Sequence, residues 1–233
     1  MPRHETFHWT ECRDRLLELD AQSPLLVEPK GRFFEAPGVT VHVPQVAPLC
    51  NAGAGVGDEP MPDAPDWRRP AHEVGTLELY LANLPAELPR HVVILMQAGA
   101  VSLGYFEAGE ALATKTLKRY VVRGKGRAQP TYLGQKGKSR YGSRLRLQNA
   151  RLLLDETNGK LGEWWDEFGS PAVIFAAAPK RLWPELFLAK VPPPFTKETP
   201  VVRVPLDLPV PTTDTMLRAY KAMGYGRIEW AAG

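Results

Sequence analysis

The sequence has few cysteines and no long apolar run. Its 233 residues include only two cysteines, Cys12 and Cys50, which are too few for a disulfide scaffold and lack the paired spacing of a zinc site. No stretch reaches the roughly 20 apolar residues of a membrane span, and the first residues lack the apolar core of a signal peptide. We therefore expect a soluble cytoplasmic protein that uses no metal or cofactor and no membrane.

Acidic residues are absent from position 111 to position 154. This window holds twelve of the 29 basic residues, which leaves 17 basic against 26 acidic residues elsewhere, a balance of −9. The overall net charge of +3 hides this segregation. A basic segment on an acidic body is typical of a surface that binds a phosphate backbone, whereas the alternative is an ordinary solvated loop and helix face. The twelve residues are Lys115, Lys118, Arg119, Arg123, Lys125, Arg127, Lys136, Lys138, Arg140, Arg144, Arg146 and Arg151.

Three antiparallel strands are predicted in the middle of the chain. Residues 92–96 and 101–106 are apolar runs separated by a turn at 97–99, and residues 116–123 provide the third strand. A long helix is predicted from Ser139 or Ser143 to Phe168, because apolar residues recur there at helical spacing. A weak point is expected where Asn158 precedes a glycine. The helical spacing also assigns Trp164 to the core rather than to base stacking.

Further elements complete the prediction of an α/β fold. Strands are expected at 172–177 and 201–204, and a final helix at 215–223 begins after a capping Thr213. The fold class is α/β, with a mixed, partly antiparallel sheet and helices on its faces.

The first 75 residues carry weaker signals. Thr10 is predicted to cap a short helix that extends through Leu19, and residues 39–43 alternate as in a strand. Residues 48–70 are rich in Gly, Pro and Asp, which favours an irregular loop. We therefore expect a peripheral region at 1–75 and a main α/β domain at 76–233.

The basic segment contains a glycine-rich loop followed by a cationic helix. Pro130 favours an extended conformation at Gln129, which holds that side chain away from the loop. Arg140, Arg144 and Arg151 share one face of the predicted helix, and Tyr132 is a candidate for stacking on bases. Glycines are expected to keep the loop mobile until RNA orders it, and to let its backbone approach a ligand. They are Gly124, Gly126, Gly134 and Gly137.

The residues of this segment resemble the Vms-type release factors, a family related to the central GGQ domain of eukaryotic and archaeal class I peptide-chain release factors. The resemblance covers about residues 92–187. Here Arg127-Ala128 precedes the glutamine, where the family's better-known form is Gly-Ser-Gln. The matching groups are Lys115-Thr116, Lys118-Arg119-Tyr120-Val121-Val122-Arg123, Gly126-Arg127-Ala128-Gln129, Gly137-Lys138-Ser139-Arg140 and Gly142-Ser143-Arg144.

This resemblance implies a fold similar to the ribonuclease H-like central domain of eukaryotic release factors. It also implies that Gln129 enters the peptidyl-transferase centre of the large ribosomal subunit and frees a stalled nascent chain from peptidyl-tRNA. The ankyrin and zinc-finger regions of eukaryotic members have no counterpart in this sequence, so we expect a stand-alone, bacterial-style member.

The chemistry open to Gln129 is positioning, because an amide does not titrate near neutral pH. It can hold a water against the peptidyl ester, or it can orient a ribose 2′-hydroxyl so that the tRNA is cut near its 3′ end. Either route releases the chain from intact peptidyl-tRNA. The competing interpretation is a non-catalytic RNA-binding factor on the ribosome. A free-standing nuclease is disfavoured because the segment has no carboxylate cluster for metal ions.

Overall fold

The computed structural model of the protein describes residues 3–28, 33–46, 76–121, 138–204 and 209–231, with the side chains of residues 83 and 138–143 left out. The strands are β1 (Arg3–His8), β2 (Leu26–Val27), β3 (Phe34–Ala36), β4 (Val39–His42), β5 (His91–Gln97), β6 (Ala100–Glu107), β7 (Glu110–Lys118), β8 (Val173–Ala177), β9 (Val201–Arg203) and β10 (Tyr225–Trp230). The helices are α1 (Cys12–Gln22), α2 (Leu77–Asn83), α3 (Lys138–Phe168), α4 (Trp183–Leu186) and α5 (Thr213–Met223), and a 3-10 turn spans Trp9–Glu11.

The central sheet has the strand order β7-β6-β5-β8-β9. β5, β6 and β7 pair antiparallel, whereas β8 is parallel to β5 and β9 is parallel to β8. β5 reads as a continuous apolar run because helices cover both faces of the sheet. Val92 and Ile94 pack in the cluster under α3, and Val93 and Leu95 pack in the cluster under α5. The expected α/β fold with a mixed sheet is confirmed, while the specific likeness to a ribonuclease H-like domain stays a prediction.

Helix α3 runs without a break through the position where a weak point was expected. Asn158 is fully buried, and its Nδ2 donates to the carbonyl oxygens of Leu186 at 2.8 Å and Val191 at 2.7 Å. These bonds tie the helix to the end of α4 and to the chain that follows it. Trp164 is buried in the same cluster, as its helical spacing predicted.

A second sheet has the order β1-β10-β4-β3-β2 and is antiparallel throughout. One face packs with α1 and α2 around Leu16, Phe34, Tyr80 and Ile228. The sequence did not predict this sheet. It joins β10, from the carboxyl-terminal part of the chain, to strands from the first 42 residues, and the division of the chain at residue 75 stays a prediction.

Three local expectations differ from the structure. The third strand spans Glu110–Lys118 rather than 116–123. It begins earlier because Ala108 and Gly109 have φ values of 50° and 88° and form a tight hairpin turn. Thr212, not Thr213, caps α5, since its side chain accepts from the backbone N–H of Thr215 at 3.0 Å. Thr10 does not cap α1, and its hydroxyl lies 2.8 Å from His8 Nδ1. The loop expected at 48–70 lies outside the described residues.

Candidate RNA-contacting site

Four strands of the central sheet terminate at the same end, which we call the carboxyl end. β5 and β7 run in the same direction because each is antiparallel to β6, and β8 and β9 are parallel to β5. The last residues of these strands are Gln97, Lys118, Ala177 and Arg203. The basic segment begins within β7, and the chain leaves β7 at this end on its way to α3.

The end of β7 lies against the β5–β6 turn. The backbone N–H of Arg119 donates to the carbonyl oxygen of Gly99 at 2.9 Å. Gly99 has a φ of 88°, and a Cβ atom there would lie 2.8 Å from the carbonyl oxygen of Arg119. This close approach therefore requires glycine.

Two side chains of α3 hold the residues that follow β7. Asn149 Nδ2 donates to the carbonyl oxygen of Tyr120 at 2.9 Å. Glu156 accepts two hydrogen bonds from Arg119, one of them from Nε at 3.2 Å. The hydrogen bond to Glu156 raises the pKa of the Arg119 guanidinium. Because Asn149 and Glu156 are two helical turns apart on one face of α3, the helix and the exit of β7 are fixed together.

The first half of α3 extends beyond the sheet. At 31 residues the helix is about 46 Å long, whereas the seven-residue β5 spans about 23 Å. No residue from 144 to 152 is buried, and burial on the helix begins at Leu153. Arg144 and Arg151 are exposed on this projecting half, and neither has an ion-pair partner within the described ranges. Exposed cations without an acidic partner are available to bind an anion such as a phosphate.

The predicted RNA-binding residues fall into three groups. Lys115 and Lys118 are exposed on β7, and Arg119 is held by Glu156. Lys138 and Arg140 lie in the first turn of α3, and Arg144 and Arg151 are exposed further along the same helix. The remaining predicted site residues lie outside the described residues: Gln129, Arg123, Lys125, Arg127, Tyr132, Lys136, Gly124, Gly126, Gly134 and Gly137. The assignment of all these residues to RNA contact or catalysis stays a prediction.

The anchoring residues Gly99, Asn149 and Glu156 were not predicted as part of the site. Asn149 and Glu156 act through partners 29 and 37 positions away in the sequence. No local pattern signals such pairs. The Gln97–Gly99 turn was predicted, but its contact with the end of β7 was not.

The rest of the described chain shows little that resembles a separate reaction centre. His91 lies at the opposite end of the sheet, fully buried, with its Nδ1 3.4 Å from the Tyr220 hydroxyl. Burial lowers its pKa to about 4, so the ring is neutral at pH 7. In the described ranges, His, Cys, Asp and Glu side chains form no group of three that could hold a metal ion. None of the described helices is long and apolar enough to cross a membrane.

Residues 91–229 match the family described as Bacteroidetes VLRF1 release factor, and this range is more than half of the chain. The chain therefore belongs to the Bacteroidetes VLRF1 release factor family. This assignment confirms the resemblance to Vms-type release factors found in the sequence. The matched range includes the whole basic segment. The class of protein is thus a release factor, which acts in translation on the ribosome.

Similarity to other known proteins is slight. No curated protein matches the chain. A solved structure described as the Vms1 mitochondrial localization core aligns with a TM-score of 0.43 at 11% identity, and the alignment covers 92% of this chain and 80% of that one. This likeness is too distant to bear on function.

Proposed function

We propose that this protein releases nascent chains from peptidyl-tRNA on the large ribosomal subunit, in cytoplasmic translation quality control, and that Gln129 directs the cleavage. The observation that carries the proposal is the family match over 91–229, because the basic segment with Gln129 lies inside it. We assign the function of the family to this chain because the chain contains that segment.

The geometry around the segment supports this proposal. Residues 122–137 connect the end of β7 to the start of α3, and both flanking elements are held together by Asn149 and Glu156. A loop whose two ends are fixed loses fewer conformations when it binds, so more of the binding energy is retained. The exposed cations Lys118, Arg144 and Arg151 lie on the two elements that flank residues 122–137, and they suit the phosphates of an RNA.

The chemical role of Gln129 follows from its amide. The side chain offers two donors and one acceptor but no proton with a pKa near neutrality. In the first route it orients a water for attack on the ester carbonyl, and the tRNA leaves with its terminal hydroxyl intact. In the second route it orients a ribose 2′-hydroxyl to attack the adjacent phosphate. A 2′,3′-cyclic phosphate forms, the 5′-oxygen of the next nucleotide leaves as a hydroxyl, and the chain departs on a short 3′ fragment of the tRNA. In both routes Gln129 acts by positioning the reacting groups. Groups that are held at short distance in the correct orientation react much faster than free ones.

The test is incubation of the protein with stalled ribosomal complexes that carry peptidyl-tRNA labelled in the peptide and at the tRNA 3′ end. Released peptide with a full-length tRNA identifies ester hydrolysis. Released peptide with a shortened tRNA identifies cleavage of the nucleic acid. Ribosome binding without release of peptide would contradict the proposal and favour a non-catalytic RNA-binding factor.

A further inference from the structure

Two cations outside the basic segment occupy the tip of a turn at the carboxyl end of the central sheet. After β8 ends at Ala177, the Leu182 N–H donates to the carbonyl oxygen of Pro179 at 2.9 Å. This bond closes a four-residue turn with Lys180 and Arg181 in its two central positions. Both side chains are exposed.

The turn is attached to the hydrophobic core. The Trp183 N–H also donates to the Pro179 carbonyl oxygen, at 3.2 Å, and the Trp183 side chain is only 9% exposed. Its ring stacks on Phe195 with centroids 6.0 Å apart and an interplanar angle of 24°. The two cations are therefore presented to solvent from a fixed backbone.

These cations form no ion pair within the described part of the chain. There, neither Lys180 nor Arg181 has an acidic partner, whereas Arg90, Arg119 and Lys160 are each paired with a glutamate. Arg203, the last residue of the adjacent β9, is also exposed and lacks an acidic partner in the same ranges. Like charges placed near one another on a surface repel, so an anionic ligand would stabilise them.

We infer that Lys180, Arg181 and Arg203 form a second phosphate-binding site for RNA, separate from the basic segment. The inference rests on the proposed function, because it takes RNA as the partner. β8 lies three strands from β7, a separation of about 14 Å, which corresponds to roughly four nucleotide steps along a duplex strand. One RNA strand can therefore contact Lys118 and the turn at the same time, which would fix its direction across the carboxyl end.

The test compares the Lys180→Ala/Arg181→Ala variant with wild type and with an Arg218→Ala/Lys221→Ala control. The control removes the same number of charges from α5. These two charges lie near Tyr220 on α5. The Tyr220 hydroxyl contacts His91, which is at the opposite end of the sheet from the turn. Because the substituted side chains in both variants are exposed, folding should be unaffected, and a thermal melt checks this.

The measurement is equilibrium binding to two probes, deacylated tRNA and vacant ribosomes, between about 50 and 200 mM salt. Loss of two phosphate contacts should reduce the slope of log K against log salt by about 1.4 to 1.8. Over a fourfold rise in salt, the variant should then weaken roughly tenfold less than wild type and the control. A change with the tRNA probe assigns the site to tRNA, and a change with ribosomes alone assigns it to ribosomal RNA.

This inference would be overturned if the Lys180→Ala/Arg181→Ala variant had the wild-type slope with both probes while wild-type binding was steeply salt-dependent. The proposed function would still stand. Wild-type protein that shows no salt-dependent binding to either probe would overturn both.

Discussion

Removal of the two contacts between α3 and the exit of β7 should slow release without unfolding the protein. The Asn149 bond to the Tyr120 carbonyl oxygen is worth about 0.5–1.5 kcal/mol. The Arg119–Glu156 pair is partly exposed, at 31% and 43%, so solvent screening leaves it a small contribution. The Asn149 bond by itself favours the anchored arrangement by about 0.5–1.5 kcal/mol, which corresponds to a population factor of about 2 to 13.

We therefore expect Asn149→Ala/Glu156→Gln to lower the release rate by about 2- to 13-fold at saturating protein. The assay is single-turnover release of labelled peptide from stalled ribosomal complexes, accompanied by a thermal melt. Glu163→Gln is the control for the lost carboxylate, because Glu163 pairs with Lys160 within α3 and does not contact β7. Release at the wild-type rate by the double variant would refute the positioning role of these contacts.

Three further outcomes are expected. Burial lowers the pKa of His91 to about 4 from 6.5, so between these values the unfolded chain binds more protons and stability falls as the pH is lowered. Unfolding measured at pH 7 and pH 5 should differ by about 2 kcal/mol more in wild type than in His91→Phe, and equal pH dependence would contradict this. Asn158→Ala leaves two carbonyl oxygens without their partner and should cost about 2–4 kcal/mol in denaturant unfolding, with a loss below about 0.5 kcal/mol refuting the bonds. Arg140→Ala/Arg144→Ala/Arg151→Ala should reduce the salt dependence of RNA binding by about 2 in slope, and an unchanged slope would place the RNA surface elsewhere.

The central sheet was predictable because its signals are local. β5 and β6 are apolar runs separated by a glycine turn. The helical spacing of apolar residues predicts that α3 extends to Phe168. The second sheet was not predictable in this way. Its strand β10 pairs with β1 and β4, and the register of Arg3 opposite Trp230 depends on the whole fold. Such long-range pairing leaves no periodic pattern in a short strand.

For the candidate site, too, some features could be predicted from the sequence and others could not. The charge segregation and the motif around Gln129 are properties of one continuous segment, so the sequence alone indicated them. Asn149 and Glu156 acquire their role only through contact with residues near the end of β7. Lys180 and Arg181 look ordinary in the sequence. They become candidates only because β8 ends at the same end of the sheet as β7.

The most direct test of the account is nascent-chain release by Gln129→Ala, with Gln135→Ala as a control that removes another amide from the same segment. Ribosome binding should be retained in both variants, because an amide neutralises no phosphate. Release from stalled complexes should fall by about 100-fold or more in Gln129→Ala alone, the usual loss when a group that positions the transition state is removed. Release by Gln129→Ala at the wild-type rate would contradict the assignment of the chemistry to Gln129.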